Sequence, residues 1–327
     1  MVAASRRARL TQQEIVLVIF ALLFAGFSAF LPGFFDTANL LGLLQNVAIL
    51  GILGLGMAIV VIGRGIDISL VATLAVPPGL VLQLVQDGTP AGVAMSCGLA
   101  VALLFGLFNG WLIAYVEVPS LFTTLASGLF LAGLGQVAFF RMDVVTWSAD
   151  LDAFAWLGRG HALGVPMPVV MLAVLAALVA GFLRMTRIGT FVYAIGDNPN
   201  AARTTGIATR PVIVLQYVLA ALIGGLAGMV MAASVGSMPT RIFNSTLVYD
   251  VILVVVLGGI GLSGGRGGVL SVLTGTLLIG TLLNGMTILD MSYSAQNLIK
   301  GVLLLMAILI DTLLNPRNEE TAQQGDI

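Results

Sequence analysis

Four ionisable side chains stand within or at the ends of otherwise apolar stretches: Asp67, Asp250, Asp290 and Lys300. Charge inside hydrocarbon is costly, so each marks a structural pair, a solute path or a proton relay. Asp67 sits in Gly63-Arg-Gly-Ile-Asp-Ile-Ser69. Two glycines and two β-branched residues disfavour a continuous helix there, and a broken helix exposes backbone groups that protein or water must satisfy. Asp67 and Ser69 then have two uses. They cap the helix that restarts at Ile68 to Leu70, with Asp67 paired to Arg64, or they line a solute path or gate. Asp250 reads as an acid at a helix N-terminus, where it favours the dipole. Asp290 and Lys300 flank one turn and read as a pair, or as a lysine snorkelling to the headgroups. A proton relay would want acids deeper in several helices.

A second set is neutral: Gln45, Asn46, Asn109, Thr123, Thr124, Gln136, Asn284 and Asn297. Amides and hydroxyls inside spans suit a neutral, hydroxyl-rich solute, and they serve equally as interhelical glue. The candidate translocation path is therefore Asn46, Asp67, Ser69, Asn109, Thr123, Thr124 and Asn284.

Enzyme chemistry finds little support. Gly261-Leu-Ser-Gly-Gly265 fits the serine-hydrolase pattern, but that pattern needs a strand-to-helix elbow and a histidine base. The one histidine, His161, falls in a loop expected on the other side. Gly259 to Gly264 fits a dinucleotide fingerprint without a preceding strand. Both read as one glycine-rich turn. No Walker A pattern and no Cys/His cluster occurs, so no catalytic residue, metal site or bound cofactor is expected.

The elements that position these residues must be membrane helices. Hydrophobic residues make up 59% of the chain and charged residues 9%, against about 25% charged in soluble domains. The net charge of −1 offers no broad basic surface for nucleic acid. A bilayer core takes about 20 apolar residues per helix. Runs of that kind lie near 15–31, 39–62, 66–86, 90–115, 120–140, 165–183, 212–235, 248–260, 269–287 and 294–314. The fold class expected is all-α: a polytopic transmembrane helical bundle of about ten helices. The third run is expected to break at Pro77 and Pro78. The first is too long for a signal peptide and lacks a clear cleavage site. Cys97, the single cysteine, excludes an intrachain disulfide and reads as a small core residue.

With the N-terminus inside, Arg6, Arg7, Arg9, Arg64, Arg184, Arg187, Arg203, Arg210, Arg266 and Arg317 fall toward the cytoplasm, while Arg141, Arg159 and Arg241 fall outside. That is the positive-inside bias, and it puts both termini in the cytoplasm. The chain divides into a cytoplasmic N-terminal segment 1–14, a transmembrane domain 15–314 and a cytoplasmic tail 315–327. An outer loop, 141–164, carries Trp147 and Trp156. An inner loop, 184–211, is expected to hold one short helix, Pro199 to Thr205, started at Asn198-Pro199 and closed by Gly206. Val60–Ser69 resembles Val255–Ser263, and Gly106–Gly110 resembles Gly280–Gly285. These pairs suggest duplicated halves, as in many transporters, although two glycine-rich apolar stretches can also agree by chance.

Four motifs, in order along nearly the whole chain, resemble one family. They are Gly65-Ile-Asp-Ile-Ser69, Val118-Pro-Ser-Leu-Phe-Thr-Thr-Leu125, Tyr193-Ala-Ile-Gly-Asp-Asn-Pro-Asn-Ala-Ala-Arg-Thr-Thr-Gly-Ile207 and Val255-Val-Leu-Gly-Gly-Ile-Gly-Leu-Ser-Gly-Gly-Arg-Gly267. They look like the permease subunits of bacterial ATP-binding-cassette importers for ribose, xylose, arabinose and galactofuranose. The resemblance implies a non-catalytic subunit of the inner membrane that forms the path for a monosaccharide or related polyol. It implies a second permease subunit, cytoplasmic ATP-binding subunits that use the ATP, and an external sugar-binding protein. It also implies that Asn198, Pro199, Ala201, Ala202, Arg203 and Gly206 form the element that couples to the ATPase. The sequence departs from the family at Arg64, where a glycine is usual, at Leu70-Val71, and at Val248, where an acid is frequent. A secondary transporter or channel for a small neutral solute is the competing reading.

Overall fold

The computed structural model describes residues 12–140 and 142–314. The expectations for Arg6, Arg7, Arg9, Arg141, Arg317 and the tail 315–327 lie outside those residues. Thirteen α-helices account for most of the described chain. The apolar ones are α1 (Gln12–Phe30), α2 (Thr37–Ile62), α3 (Leu70–Gln86), α4 (Ala91–Ala114) and α5 (Ser120–Leu134), then α7 (Met167–Met185), α10 (Thr209–Val235), α11 (Leu247–Leu257), α12 (Val269–Ile288) and α13 (Tyr293–Leu314). Between them lie α6 (Asp152–Arg159), α8 (Arg187–Asp197) and α9 (Pro199–Thr204). Seven helices are long and apolar enough to cross a membrane, and α3, α11 and α13 are shorter apolar helices. The polytopic helical class expected from composition is the class found.

α2 is apolar all round and buried from Val47 onward apart from Ile49, so it forms the centre of the bundle. α10 runs along α2, α3 and α4. Glycines set these distances. A Cβ on Gly106 would come 2.7 Å from the Val218 Cα, and one on Gly110 2.7 Å from the Val214 Cα. Backbones of α4 and α10 therefore approach at the small-residue face that membrane helices favour.

Pro77 and Pro78 do not break α3, contrary to expectation; the helix runs through them. Proline removes the N–H that would bond the carbonyl four residues back, here those of Thr73 and Leu74. Gly228 of α10 is packed so closely on the Leu74 carbonyl that a Cβ there would overlap it. Packing by a neighbouring helix is how spans tolerate internal proline.

The loops gather in two groups. In one, β1 (Val144–Thr146) pairs antiparallel with β4 (Ser237–Pro239), and β2 (His161–Ala162) with β3 (Val165–Pro166). These short ladders are the small exceptions to an all-α class. Arg241 Nε pairs with Asp143 Oδ1 at 2.7 Å beside the first of them. The other group holds residues 63–69, 258–268 and the α8–α9 segment. Gly265 N–H donates to the Ile62 carbonyl at 2.8 Å, and a Cβ on Gly196 would overlap that carbonyl. Cys97 lies exposed on α4 rather than in the core.

Residues 184–211, the loop expected on the inner side, hold two helices, α8 and α9, where one was expected. α8 starts at Thr186, whose hydroxyl accepts the Gly189 N–H at 3.0 Å. Its buried residues Gly189, Val192, Ile195 and Gly196 repeat at helical spacing, so it lies as an amphipathic helix against the bundle.

Candidate translocation site and coupling surface

α2 ends in a helix-stop pattern. Gly63 N–H bonds the Ile59 carbonyl, Arg64 N–H that of Val61 and Gly65 N–H that of Val60. Arg64 takes the left-handed conformation, φ 70°. The chain then runs non-helical to Ser69, as the glycines predict. Gly65 leaves room for Tyr217: a Cβ would clash with its hydroxyl.

Four of the seven path candidates meet here. Ser69 Oγ donates to Asp67 Oδ1, and Asn109 Nδ2 of α4 donates to Ser69 Oγ at 2.8 Å. Thr124 of α5 accepts the Ile68 N–H at 3.1 Å and donates to the Ile66 carbonyl at 3.2 Å. Ser120 accepts the Ile66 N–H at 3.2 Å. The amides of Ser69 and Leu70 also point at the Asp67 carboxylate. Asp67, Ser69, Asn109 and Thr124 are all buried. Their polar groups bond an interrupted backbone and one another, while the buried Asn109 Oδ1 has no partner among the described residues. Their arrangement ties α2, α3, α4 and α5 into one polar knot.

The other three lie elsewhere. Asn284 exchanges side-chain hydrogen bonds with Asn39 at 2.9 and 3.0 Å, joining α12 to α2. Asn46 is exposed on α2. Thr123 is buried but lines a groove of about 460 Å³ with Phe108, Phe122 and Phe130.

Lys300 pairs with Asp250, not with Asp290. Its ammonium stands 2.9 Å from Asp250 Oδ1 and 3.2 Å from Oδ2, and donates to Thr246 Oγ1 at 3.0 Å. Both side chains are nearly buried, at 8% and 11% exposure. Asp290 is exposed in the turn after α12 with φ 51°. Two residues fifty positions apart on different helices meet only in three dimensions, and sequence proximity suggested the wrong partner.

α9 is built as its sequence predicts. Asn198 Oδ1 accepts the N–H groups of Asn200 and Ala201, both at 3.0 Å. Gly206 is left-handed at φ 85°, with its N–H on the Arg203 carbonyl and the Ile207 N–H on that of Ala202. Ala202 is buried; Ala201, Arg203 and Gly206 are exposed, and Asn198 and Pro199 half-buried. The helix thus presents a polar face away from the bundle. Tyr193 of α8 donates to the Gly267 carbonyl at 2.9 Å. Partial burial raises its pKa, keeping the phenol a donor. The serine of the hydrolase-like pattern, Ser263, lies in this loop group, whereas His161 lies in the other.

A family model described as "Branched-chain amino acid transport system / permease component" matches residues 39–308. The chain is a permease of this family. The four motifs that pointed to importer permeases are thereby accounted for. The permease is 33% identical over 307 residues to the ribose import permease protein RbsC of Escherichia coli K12, covering 93% of this chain and 95% of that one. It is 36% identical over 281 residues to the ribose import permease protein RbsC of Bacillus subtilis, 86% of each chain. It is 30% identical over 305 residues to the fructose import permease protein FrcC of Rhizobium meliloti, 90% of this chain and 84% of that one. No solved structure matches the permease.

The second glycine turn of the permease repeats the first. Gly258 N–H bonds the Val254 carbonyl, Gly259 that of Val256 and Ile260 that of Val255, with Gly259 at φ 101°. The three bonds match those of Gly63, Arg64 and Gly65 in turn, with Arg64 standing where the second copy has Gly259. The same helix-stop pattern closes α3, α9 and α12, so it is a general device of this chain and not a mark of the suggested repeat. Sequence reasoning did not foresee that Asp311 of α13 would accept the Leu262 N–H at 3.3 Å and hold this turn.

Proposed function

We propose that the chain is the non-catalytic membrane subunit of an ATP-driven importer, forming the path for a monosaccharide or related polyol. What carries this reading is the near full-length similarity to permeases named for ribose and fructose import. The chain crosses the inner membrane ten times, counting the three shorter apolar helices with the seven long ones. Both termini lie in the cytoplasm, which puts α8, α9 and the two glycine turns on the inner side. A second permease subunit completes the path. ATP is bound and hydrolysed by separate cytoplasmic subunits, and an external binding protein delivers the solute. Asn198, Pro199, Ala201, Ala202, Arg203 and Gly206 meet the ATPase. A capped, exposed helix backed by a backbone junction suits that task, because it transmits a push without unwinding.

The test is reconstitution of the permease with its ATP-binding subunits in proteoliposomes. ATP in the lumen, on the face that carries the ATP-binding subunits, and loaded binding protein outside should drive sugar accumulation in the lumen. ATP-independent equilibration of sugar by the permease alone would instead establish a channel or secondary transporter.

A further inference from the structure

α5 does not end as an α-helix. Residues Gly135–Phe139 form a π-helical turn, a form that concentrates at functional sites. The turn carries Gln136 to the loop after α10, where Gln136 Nε2 donates to Thr240 Oγ1 at 2.7 Å. Thr240 is itself buried and donates to the Asp143 carbonyl at 2.9 Å, so the amide is held from behind. Beside it opens a cavity of about 220 Å³, lined among others by Gln136, Thr240, Arg241, Phe243 and Asn244.

The chemistry of this lining is specific. Among the described residues, Gln136 Oε1 makes no hydrogen bond and is available as an acceptor. The Asn244 side chain, exposed at the rim, makes none among them either and offers both donor and acceptor. Arg241 has its charge balanced by Asp143, which leaves N–H donors without a net field. The Phe243 ring is seated on Gly128, where a Cβ would come within 2.9 Å of it, so its position is fixed. One fixed amide, a second amide at the rim, a neutralised guanidinium and an aromatic face recognise a compound with many hydroxyls and one apolar C–H face. A zwitterionic amino acid would want two separated, unbalanced charges and an apolar pocket.

We propose that the cavity between the π turn of α5 and residues 240–244 is a subsite for a neutral polyhydroxy solute at the outer mouth of the path. It rests on the importer reading above and adds to it a place and a set of recognising groups.

Asn244→Ala and Gln136→Ala test it in the complete complex with ATP-binding subunits and binding protein, with Ser96→Ala on the exposed face of α4 as control. Initial uptake of ribose, xylose and fructose is measured for each. Removing one neutral hydrogen bond should lower uptake of the preferred sugar about fivefold. It should also change the ratio of rates among the sugars, because their hydroxyls differ in position. A merely structural effect lowers all three in proportion, and that result, or unchanged rates in both variants, overturns the subsite. Asn244→Ala keeps the experiment decisive if Gln136→Ala fails to assemble, since the exposed Asn244 side chain holds no other described residue. If the unaltered complex carries none of the sugars but carries leucine, the importer reading for sugars fails, and the chemistry assigned to the cavity fails with it.

Discussion

Ser69 has the most to lose of any residue at the knot. It donates to Asp67 and accepts from Asn109 at full burial. Leaving a buried polar partner unsatisfied costs about 1–3 kcal/mol. Ser69→Ala should therefore lower the thermal midpoint of the purified permease, and Asn109→Ala added to it should cost much less than it does alone. Additive losses would show that the two side chains do not share a network. Asp67 was visible in the sequence as a buried acid after a glycine break, and the break is where the glycines put it. The rest of its network was not visible, because Asn109 reaches Ser69 and Thr124 reaches Ile68 from helices 40 and 56 residues away. Arg64 shows the reverse case. It departs from the family's glycine at a left-handed position, which disfavours a side chain by about 1–2 kcal/mol.

Between helices, the Asp250–Lys300 pair joins α11 to α13. Removing one partner of a buried pair typically costs about 3–5 kcal/mol, whereas replacing both with apolar residues is often neutral. Lys300→Met should destabilise the permease strongly, and Lys300→Met with Asp250→Leu should recover most of the loss in thermal unfolding. Failure of the double variant to recover would mean that the pair acts through Thr246 and its neighbours. α9 makes a different demand. A Cβ at Gly206 would meet nothing, yet the residue is left-handed. Gly206→Leu should thus insert and fold but deform the exposed end of α9, abolishing ATP-driven uptake; normal uptake would remove α9 from the coupling surface. Long apolar helices were legible because a bilayer demands about 20 apolar residues in a row. α8 was not, because its eleven residues are apolar on one face only. α3 looked broken because proline's effect was judged within one chain, without the glycine face of α10 that covers the freed carbonyls.

Over the whole molecule, α2 and α11 end in the same hydrogen-bond pattern, and the turns that follow them meet at one point. Gly196 is packed on the hydrogen bond from the Gly265 N–H to the Ile62 carbonyl, and a Cβ there would overlap that carbonyl. Overpacking costs about 1–3 kcal/mol. Gly196→Ala should lower thermal stability by that amount and depress uptake in the assembled importer; full uptake would show that the junction has slack. The motifs at this point were each readable in the sequence. That they touch was not, since contact between residues 62, 196 and 265 is a property of packing alone.

That junction has a mechanical consequence. Side chains absorb a displacement by changing rotamer, and a long arginine between two helices works as a spring. Where α8 meets the two glycine turns the tightest contacts are between peptide groups, those of Ile62, Gly196 and Gly265, with the Tyr193 side chain bonded to the Gly267 carbonyl beside them. A displacement of α8 would therefore reach the Ile62 and Gly265 backbones directly, through Gly196, rather than through a rotamer change.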